Sequence, residues 1–190
     1  MILLLDNFDS YTYNLLDYFG QLGIEAHVVR NNVPLTAIEA LSFDAIVLSP
    51  GPGVPRRAGN LMALIDRYHQ TKPMLGICLG HQALGEYFGG TLQKGCRPMH
   101  GKITNIICRP DAIFEHLPSP MPVVRYHSLV VQVDNTELVP LAFSPEGELM
   151  AFRHATLPLY GLQFHPEAAL TTFGLDMLRN WALQAGMAVK

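Results

Sequence analysis

Short apolar runs separated by helical segments dominate the first half of the chain. Residues 1–6 form a continuous apolar run that ends in an acid, and residues 45–48 and 74–77 are shorter apolar runs. A run without polar alternation is typical of a strand that is covered on both faces, as in a parallel sheet. Strands that alternate with helices imply βαβ units. The sequence therefore predicts an α/β fold with a largely parallel central sheet flanked by helices.

The segments between these strands carry helix and turn signals. Asp9 or Ser10 is placed to cap a first helix that runs through Leu22, and Gly23 ends that helix. The stretch 49–55 is rich in proline and glycine, so it is predicted to be a loop. A second strand is predicted at 24–30, and further helices at 35–41, 59–68 and 83–88.

The second half of the chain has a different pattern. Six strands are predicted there with few helical segments between them, which favours an additional antiparallel portion. Residues 173–187 are amphipathic at helical spacing and predict a closing helix. Because there is neither an internal repeat nor a linker, a single domain spanning residues 1–190 is expected. The six strands are predicted at 103–108, 123–126, 129–133, 138–144, 149–154 and 159–164.

The composition argues against several classes of protein. The 190 residues are 49% hydrophobic and 15% charged, with a net charge of −3, so a nucleic-acid-binding face is not expected. No run reaches the roughly 18 apolar residues of a membrane span, and the first residues lack signal-peptide features. Cys78, Cys96 and Cys108 are widely spaced and odd in number, which favours a reducing cytoplasm over a disulfide framework. Without a CxxC or HExxH pattern, neither a metal nor a cofactor is expected.

Cys78 stands at a junction that is typical of a nucleophile. It lies at the centre of Gly76-Ile77-Cys78-Leu79-Gly80, after an apolar run and before helix-favouring residues. Glycines at this spacing suit a sharp strand-to-helix turn that lifts the side chain from the sheet edge. The N-terminus of the following helix favours the thiolate, which is the nucleophilic form. A lone cysteine at this position is also compatible with a small core residue, but the motifs described next favour catalysis.

His165 and Glu167 follow the last predicted strand and supply a base with its partner. His165 can take the thiol proton and later give a proton to a leaving amine. The proline after His165 favours an extended backbone, in which residues two apart point to the same side. Glu167 is then placed to orient the imidazole, as the third member of a triad does. A structural histidine is the alternative for this position taken alone.

The loop after the third strand offers backbone groups to a ligand. Gly51 and Gly53 allow backbone N–H groups to approach a ligand without side-chain interference. One of them, with the N–H of Leu79, can form an oxyanion hole. By pattern alone, this Pro-Gly-Pro-Gly stretch is equally compatible with a rigid turn.

Other polar residues are weaker candidates. Gln82 lies one turn into the predicted elbow helix, where it can bind an amide or amino-acid group, and residues 127–129 can present backbone groups to the same ligand. For His81, His100 and Lys102, roles in packing or on the solvated surface are favoured.

A polar cluster follows the first strand. Helix capping explains this cluster, although its residues are also compatible with a contact at the rim of the site. The cluster consists of Asp6, Asn7, Asp9 and Ser10.

Three motifs, in this order, are together highly specific. They resemble those of the triad-type, class I glutamine amidotransferases, and the resemblance covers essentially the whole chain. A second set of stretches looks more narrowly like the small subunits of anthranilate synthase and aminodeoxychorismate synthase. The three family motifs are residues 49–53, 76–82 and 163–167, and the narrower stretches are 5–14, 99–102 and 125–130.

The resemblance implies the fold of that family and a glutaminase reaction. By the match, Cys78 attacks the side-chain amide of L-glutamine, a γ-glutamyl thioester forms, and His165 and Glu167 complete the triad. The ammonia would pass, within a heteromeric complex, to a large synthase subunit that holds chorismate and magnesium and serves tryptophan or folate biosynthesis. Whether the product is anthranilate, aminodeoxychorismate or both stays open. The positions matched to glutamine binding and the oxyanion hole are Gly51, Gly53, Leu79, Gln82, Ser128 and Leu129.

Two positions depart from the family pattern. The family usually has serine after His-Pro-Glu, whereas this chain has Ala168. After His-Gly-Lys the family often continues Thr-Ser, and here Ile103 and Thr104 follow. The first change removes a hydroxyl close to the triad or to a partner, and the second alters a strand that is expected to face a partner.

Two other classes of function remain compatible with the sequence. One is a free-standing thiol hydrolase of γ-glutamyl bonds, and the other is a non-catalytic regulatory module on the same fold. Carbamoyl-phosphate and GMP synthetase subunits share the triad. The first needs an extra N-terminal domain and the second commonly a fused ATP-using domain, and 190 residues leave room for neither.

Overall fold

The computed structural model describes residues 1–134 and 136–190 of the chain. Strands and helices alternate over the first half, and strands dominate the second. The strands are β1 (Ile2–Asp6), β2 (Ala26–Arg30), β3 (Ala45–Leu48), β4 (Met74–Ile77), β5 (Thr91–Lys94), β6 (Lys102–Cys108), β7 (Met121–Arg125), β8 (Leu129–Gln132), β9 (Leu138–Phe143), β10 (Leu149–His154) and β11 (Leu159–Leu162). The helices are α1 (Thr12–Gln21), α2 (Leu35–Glu39), α3 (Leu61–Tyr68), α4 (Leu79–Tyr87) and α5 (Gly174–Gln184), with 3-10 turns at Pro55–Arg57 and Ala112–Phe114.

Nine of the strands described by the structure form one mixed sheet, in the order β2-β1-β3-β4-β11-β10-β9-β6-β7. The strands from β2 to β11 pair in parallel, and those from β11 to β7 pair antiparallel. The prediction of an α/β fold with a largely parallel sheet and an antiparallel portion is confirmed. Leu48 lies opposite Gly76, and Ile77 lies opposite Leu162, so the carboxyl ends of β3, β4 and β11 adjoin.

The continuous apolar run of β1 is divided between two cores. Leu3 and Leu5 belong to the cluster on one face of the sheet, under α3 and α4, and Leu4 belongs to the cluster on the other face. On that second face, Phe19 of α1 meets Trp181 of α5 edge to face, with 5.9 Å between ring centroids. Full burial stabilises each of these leucines by about 1.5–3 kcal/mol, so both faces need apolar side chains and no polar alternation is left.

A two-stranded ribbon formed by β5 and β8 lies outside the main sheet, with Lys94 opposite Leu129. Strand β5 was not predicted from the sequence, because Thr-Leu-Gln-Lys has neither an apolar run nor a clear alternation. Its side chains are mostly exposed. Pairing with β8 explains its strand conformation, and β8 leads directly from a loop that was predicted to present backbone groups to a ligand.

The start of α1 differs from the prediction. The prediction that Asp9 or Ser10 is the N-cap of this helix is wrong, because the N-cap is Tyr11, whose own side chain makes no capping bond. Asp9 instead accepts a hydrogen bond from the Tyr11 N–H, at 2.8 Å, in the turn before the helix. The Asp6 side chain stabilises the turn that precedes the helix. Its Oδ1 accepts hydrogen bonds from the Asp9 N–H at 3.2 Å and from the Thr12 hydroxyl at 2.8 Å. A buried carboxylate at the end of β1 therefore sets the direction of the chain into α1.

Helix α4 begins at Leu79, directly after Cys78, and not at residue 83 as predicted. The helix lies against the sheet at two glycines. A Cβ on Gly80 would lie 2.4 Å from the Leu48 carbonyl oxygen, and a Cβ on Gly76 would lie 2.4 Å from the Gly80 carbonyl carbon and oxygen. Both distances are far below any van der Waals contact, so the sharp strand-to-helix turn depends on the absence of side chains at 76 and 80.

Some features are absent from residues 1–134 and 136–190. None of the helices in these ranges is both long enough and apolar enough to cross a membrane. Cys78, Cys96 and Cys108 are free thiols. The same ranges contain no group of three or more His, Cys, Asp or Glu side chains arranged to hold a metal ion.

Replacing Gly80 tests the close contact between α4 and the sheet. We expect Gly80→Ala to lower the free energy of unfolding by about 1–3 kcal/mol or more, because the atom it meets is backbone and cannot move aside as a side chain does. Urea denaturation followed by circular dichroism measures the change.

Gly20→Ala is the matched control, since Gly20 also lies in a helix but has no atom within 4 Å of an added Cβ. There we expect stabilisation by about 0.5–1 kcal/mol from helix propensity. Equal effects of the two substitutions would contradict the steric account.

Candidate active site

Three chain segments line a cavity of about 180 Å³. They are the loop after β3, the turn between β4 and α4, and the loop between β7 and β8. His165 and Glu167, after β11, are not among the lining residues. A larger cavity of about 490 Å³ lies beside Cys108, but its lining includes none of the predicted site residues. Chemistry rather than size therefore identifies the candidate site. Its lining residues are Gly51, Pro52, Gly53, Cys78, Gln82, Tyr126, His127, Ser128 and Leu129.

Cys78 adopts a backbone conformation that non-glycine residues rarely have, with φ 51° and ψ −98°. Such strain costs on the order of 1–3 kcal/mol and persists only where the surroundings enforce it. The Cys78 N–H donates to the Leu162 carbonyl at 2.8 Å, which holds the turn against β11. The side chain then lies at the N-terminus of α4, where the first N–H groups have no intrahelical partner and the dipole favours negative charge.

His165 and Glu167 form a buried pair, with 2.7 Å between His165 Nδ1 and Glu167 Oε1. His165 forms an antiparallel bridge with Val124, but the predicted extended backbone does not continue to Glu167. Residues 165–168 form a turn, in which the Ala168 N–H donates to the His165 carbonyl at 3.3 Å. This turn brings the Glu167 carboxylate into contact with the His165 ring. The contact does not arise from side-chain alternation along an extended strand. The other oxygen of this carboxylate, Oε2, is buried without a hydrogen-bond partner.

The position of His165 is fixed by β7 and by one hydroxyl group. The His165 N–H donates to the Val124 carbonyl at 2.9 Å. The Thr171 hydroxyl donates to the His165 carbonyl at 2.7 Å and accepts from the Val124 N–H at 3.0 Å. Thr171 was not singled out from the sequence, and it supplies a hydroxyl next to the triad although position 168 is alanine.

The surroundings of His165 raise the pKa of its ring. Burial alone would lower this pKa, but the charge of Glu167, its hydrogen bond to the ring and the nearby Cys78 outweigh burial and raise the pKa to about 10. Because Nδ1 is held by Glu167, Nε2 is the nitrogen available to the thiol, and it makes no hydrogen bond of ordinary geometry. Long or poorly aligned contacts are common in triads without substrate.

Two tyrosines that sequence reasoning missed enclose the His165 ring. The rings of Tyr11 and Tyr126 each lie 5.3 Å from that of His165, centroid to centroid. Their hydroxyl groups are hydrogen-bonded at 3.0 Å, and this bond, aided by burial, raises the pKa of Tyr11 to about 12. Both residues lie within the stretches that carry the narrower resemblance, which is the one signal by which they could have been found.

The loop with Gly51 and Gly53 is held in place by Asn7. The Asn7 N–H donates to the Ser49 hydroxyl at 2.8 Å, and its side-chain amide donates to the Ser49 carbonyl at 2.9 Å. Gly51 fits between Asn7 and Leu79, since an added Cβ would lie 2.6 and 2.7 Å from their side chains. Gly53 has φ 79°, which favours glycine. Asn7 therefore anchors this loop, and helix capping does not explain it.

Gln82 connects the two halves of the site. Its Nε2 donates to the Leu129 carbonyl at 3.1 Å and to Gln163 Oε1 at 3.3 Å. Gln163 in turn lies with its Nε2 at 3.8 Å from Cys78 Sγ. The predicted glutamine-binding residues Gln82, Ser128 and Leu129 thus line the same cavity as Cys78.

The weaker candidates lie away from the cavity or in the core. His81 is fully buried against Phe152, with 4.5 Å between ring centroids, and burial lowers its pKa to about 3. His100 contacts the outer side of Tyr126, with ring centroids 5.4 Å apart. Lys102 is exposed on β6. None of the three lines the cavity.

The chain is similar to known proteins over nearly its whole length. Residues 3–185 match the family model described as glutamine amidotransferase class-I. A Bacillus subtilis protein named aminodeoxychorismate/anthranilate synthase component 2 is 45% identical over 187 residues, covering 95% of this chain and 95% of the relative. Anthranilate synthase component 2 of Pseudomonas aeruginosa is 44% identical over 194 residues, covering 98% of this chain and 96% of the relative.

Among solved structures, the fold is similar to that of a Thermoplasma acidophilum protein assigned to GMP synthase. The TM-score is 0.86 at 28% identity, and the match covers 97% of this chain and 93% of the other. A Thermotoga maritima glutamine amidotransferase matches with a TM-score of 0.71 at 18% identity, over 96% of this chain and 80% of the other. The second match bears on the fold alone.

The raised pKa of His165 gives a direct prediction. In Glu167→Gln the stabilising charge is lost while burial remains, so we expect the pKa of His165 to fall well below about 10. Titration of the ring resonances by NMR measures it. The pKa of His81, which burial sets, is the internal control and should not change.

The same shift predicts how stability depends on pH. Since the pKa of His165 is raised in the folded state, the His165–Glu167 pair contributes fully to the free energy of unfolding at pH values below the unfolded-state pKa of about 6.5. That contribution is lost as the pH rises through about 10. The difference in the free energy of unfolding between wild type and Glu167→Gln should therefore shrink over this window. A difference that is independent of pH would contradict the charge pairing.

Proposed function

The chain belongs to the class I glutamine amidotransferases, and from this we propose that it is the glutaminase subunit of a two-component synthase that aminates chorismate. One observation carries the proposal. Cys78 occupies a strained turn at the edge of a cavity, with the buried His165–Glu167 pair contributing to its surroundings. The proposed substrate is L-glutamine, and the proposed partner is a large subunit that binds chorismate.

In the first step we propose that Cys78 Sγ attacks the side-chain amide carbon of glutamine. His165 takes the thiol proton, or holds it already as imidazolium, because its raised pKa favours the cationic ring near neutral pH. Glu167 stabilises that cation and orients the ring through the 2.7 Å contact at Nδ1. Attack converts the amide carbonyl into a tetrahedral oxyanion.

The oxyanion hole is proposed to consist of backbone N–H groups. The Leu79 N–H is the first of α4 and has no intrahelical acceptor, and Gly51 packs directly on the Leu79 side chain. A donor from the 51–53 loop is thus brought next to the N-terminus of α4. Loss of one such donor typically costs about 2.7–4 kcal/mol of transition-state stabilisation.

Collapse of the tetrahedral intermediate completes the first half of the reaction. His165 gives its proton to the leaving nitrogen, the C–N bond breaks, and ammonia departs, leaving a γ-glutamyl thioester on Cys78. A water molecule, deprotonated by His165, then attacks the thioester carbon. The C–S bond breaks, glutamate leaves, and Cys78 Sγ regains its proton from His165.

The identity of the acceptor rests on the curated relatives. The Bacillus subtilis relative is named for both aminodeoxychorismate and anthranilate synthesis, and the Pseudomonas aeruginosa relative for anthranilate synthesis. Identities near 45% over almost the full length support a chorismate-aminating partner. The large subunit, and not this chain, is proposed to hold chorismate and magnesium. The proposed location is the cytoplasm, in view of the odd number and wide spacing of the cysteines.

Chain length does not separate this function from a role in GMP synthesis. The Thermoplasma acidophilum protein assigned to GMP synthase is covered to 93% by this chain, so a protein of this size and fold also occurs in that branch. A length of 190 residues is therefore compatible with both branches. The higher identity to the chorismate-linked relatives favours our proposal.

Reconstitution with each candidate large subunit tests the function. With chorismate and glutamine, we expect product that is detected by its fluorescence. Cys78→Ala should abolish glutamine-dependent product and leave ammonium-dependent product intact, because free ammonia makes the glutaminase step unnecessary. Cys96→Ala is the control, since this exposed thiol does not line the cavity, and it should retain both activities.

Other outcomes assign other functions. Full glutamine turnover by the isolated chain, unaffected by any large subunit, would identify a free-standing γ-glutamyl hydrolase. An absence of glutamine hydrolysis even with the partner, together with no labelling of Cys78 by a glutamine-like electrophile, would identify a regulatory module. Loss of both activities in Cys78→Ala would indicate a structural role for this residue.

A further inference from the structure

Arg125, the last residue of β7, is a fully buried cation next to the candidate site. Its side chain is 1% exposed. Its guanidinium is paired with Glu148 through Nη2, and its Nη1 lies 3.5 Å from Glu146 Oε2. A buried guanidinium is expensive unless it is paired and hydrogen-bonded. The two carboxylates, both between β9 and β10, balance the charge and give Arg125 a defined position, although Nη1 makes no hydrogen bond.

The third group in contact with the Arg125 guanidinium is His127, in the loop formed by residues 126–129. Arg125 Nε donates to His127 Nε2 at 3.0 Å, and His127 Nδ1 lies 3.0 Å from the Leu129 carbonyl oxygen. Arginine has donors only, so His127 Nε2 must be the acceptor. His127 Nδ1 then carries the proton and donates to Leu129. Arg125 therefore selects one tautomer of His127, and burial with the charge of Arg125 lowers the pKa of His127 to about 4.

The Leu129 carbonyl connects this pair to the site. It also accepts a hydrogen bond from Gln82 Nε2, which reaches Gln163 and through it the Cys78 sulfur. The Tyr126 carbonyl, between Arg125 and His127 in the chain, lies 4.0 Å from Cys78 Sγ. One ordered path of donors and acceptors thus joins the buried cation to the backbone groups that line the cavity.

The loop is fixed on its outer side as well. The Met99 N–H donates to the His127 carbonyl at 2.8 Å, and the Gly95 N–H donates to the Ser128 carbonyl at 2.9 Å. Glu148 Oε1 accepts from the Cys96 N–H at 2.7 Å. Glu148 therefore holds both the segment outside the loop and the cation beneath it.

We propose that Arg125 is a positioning residue for glutamine: with Glu148 it imposes the tautomer of His127 that orients the 126–129 backbone toward the substrate. The inference rests on the proposed glutaminase function. Arg125 itself does not line the cavity, and it acts through His127. Substrate binding by this loop is therefore sensitive to a side chain that never touches the substrate.

Arg125→Lys separates this role from simple charge balance. Lysine keeps a cation for Glu148 but lacks the planar fork that reaches Glu148 and His127 together. In the reconstituted complex we expect kcat/KM for glutamine to fall between about tenfold and a hundredfold, mainly through KM, because a shift of about 1 Å in a positioning group has effects of this size. Product formed from ammonium salts should not change.

The tautomer gives a second readout that does not depend on activity. In the wild-type chain, ¹⁵N chemical shifts should place the His127 proton on Nδ1, and in Arg125→Lys the Nε2–H form should become populated. Arg153→Lys is the matched control, since Arg153 pairs with Asp111 at 3.1 Å and does not line the cavity. It should alter neither the tautomer nor KM.

The outcomes are distinguishable from failure of the proposed function. Wild-type complex that uses ammonium but never glutamine would overturn that function. Wild-type activity with unchanged KM and an unchanged His127 tautomer in folded Arg125→Lys would overturn the positioning role alone. Equal losses of glutamine-dependent and ammonium-dependent product would show that Arg125 is merely structural, which also overturns the inference.

Discussion

The contact between helix α4 and the sheet, made by backbone alone at Gly76 and Gly80, is the constraint on which the rest of the site depends. With no side chain at either position, the helix starts one residue after Cys78, which is forced to φ 51°. That turn places the sulfur at the carboxyl edge of β4 and at the positive end of a helix. The other components of the site are arranged around the Cys78 sulfur. The apolar side chains packed on both faces of the sheet hold the turn in place.

The remaining components share one physical solution, which is to bury polar groups in chains where each donor has a defined acceptor. Glu167 holds His165, Asn7 holds the Ser49 loop, and Arg125 holds His127. Buried polar groups are costly when unpaired, so such chains tolerate few alternative arrangements. The resulting rigidity favours a site that is already organised before substrate binds. The exceptions in these chains are Glu167 Oε2, His165 Nε2 and Arg125 Nη1, which are buried without hydrogen-bond partners.

Local patterns predicted the elements well but not the contacts between distant segments. The parallel strands were predictable because β1, β3 and β4 are apolar on both faces. The turn at Cys78 and the His165–Glu167 pair were predictable because the residues of each are close together in the chain. Strand β5 was missed since only its pairing with β8 makes it a strand. The Tyr11–Tyr126 bond joins residues 115 apart, and the Asn7–Ser49 bond joins residues 42 apart, so neither could be inferred from spacing. Two local inferences were also wrong: the N-cap of α1 is Tyr11 and not Asp9 or Ser10, and a turn replaces the extended backbone after His165.

The central claim is that Cys78 carries the substrate acyl group, and rapid-quench mass spectrometry of the reconstituted complex tests it most directly. Complex mixed with glutamine and quenched in acid within one turnover should yield a Cys78 peptide that carries one added γ-glutamyl group. The peptides with Cys96 and Cys108 should stay unmodified in the same sample. Glutamine consumption without an adduct on Cys78, or with the adduct on another cysteine, would contradict the account.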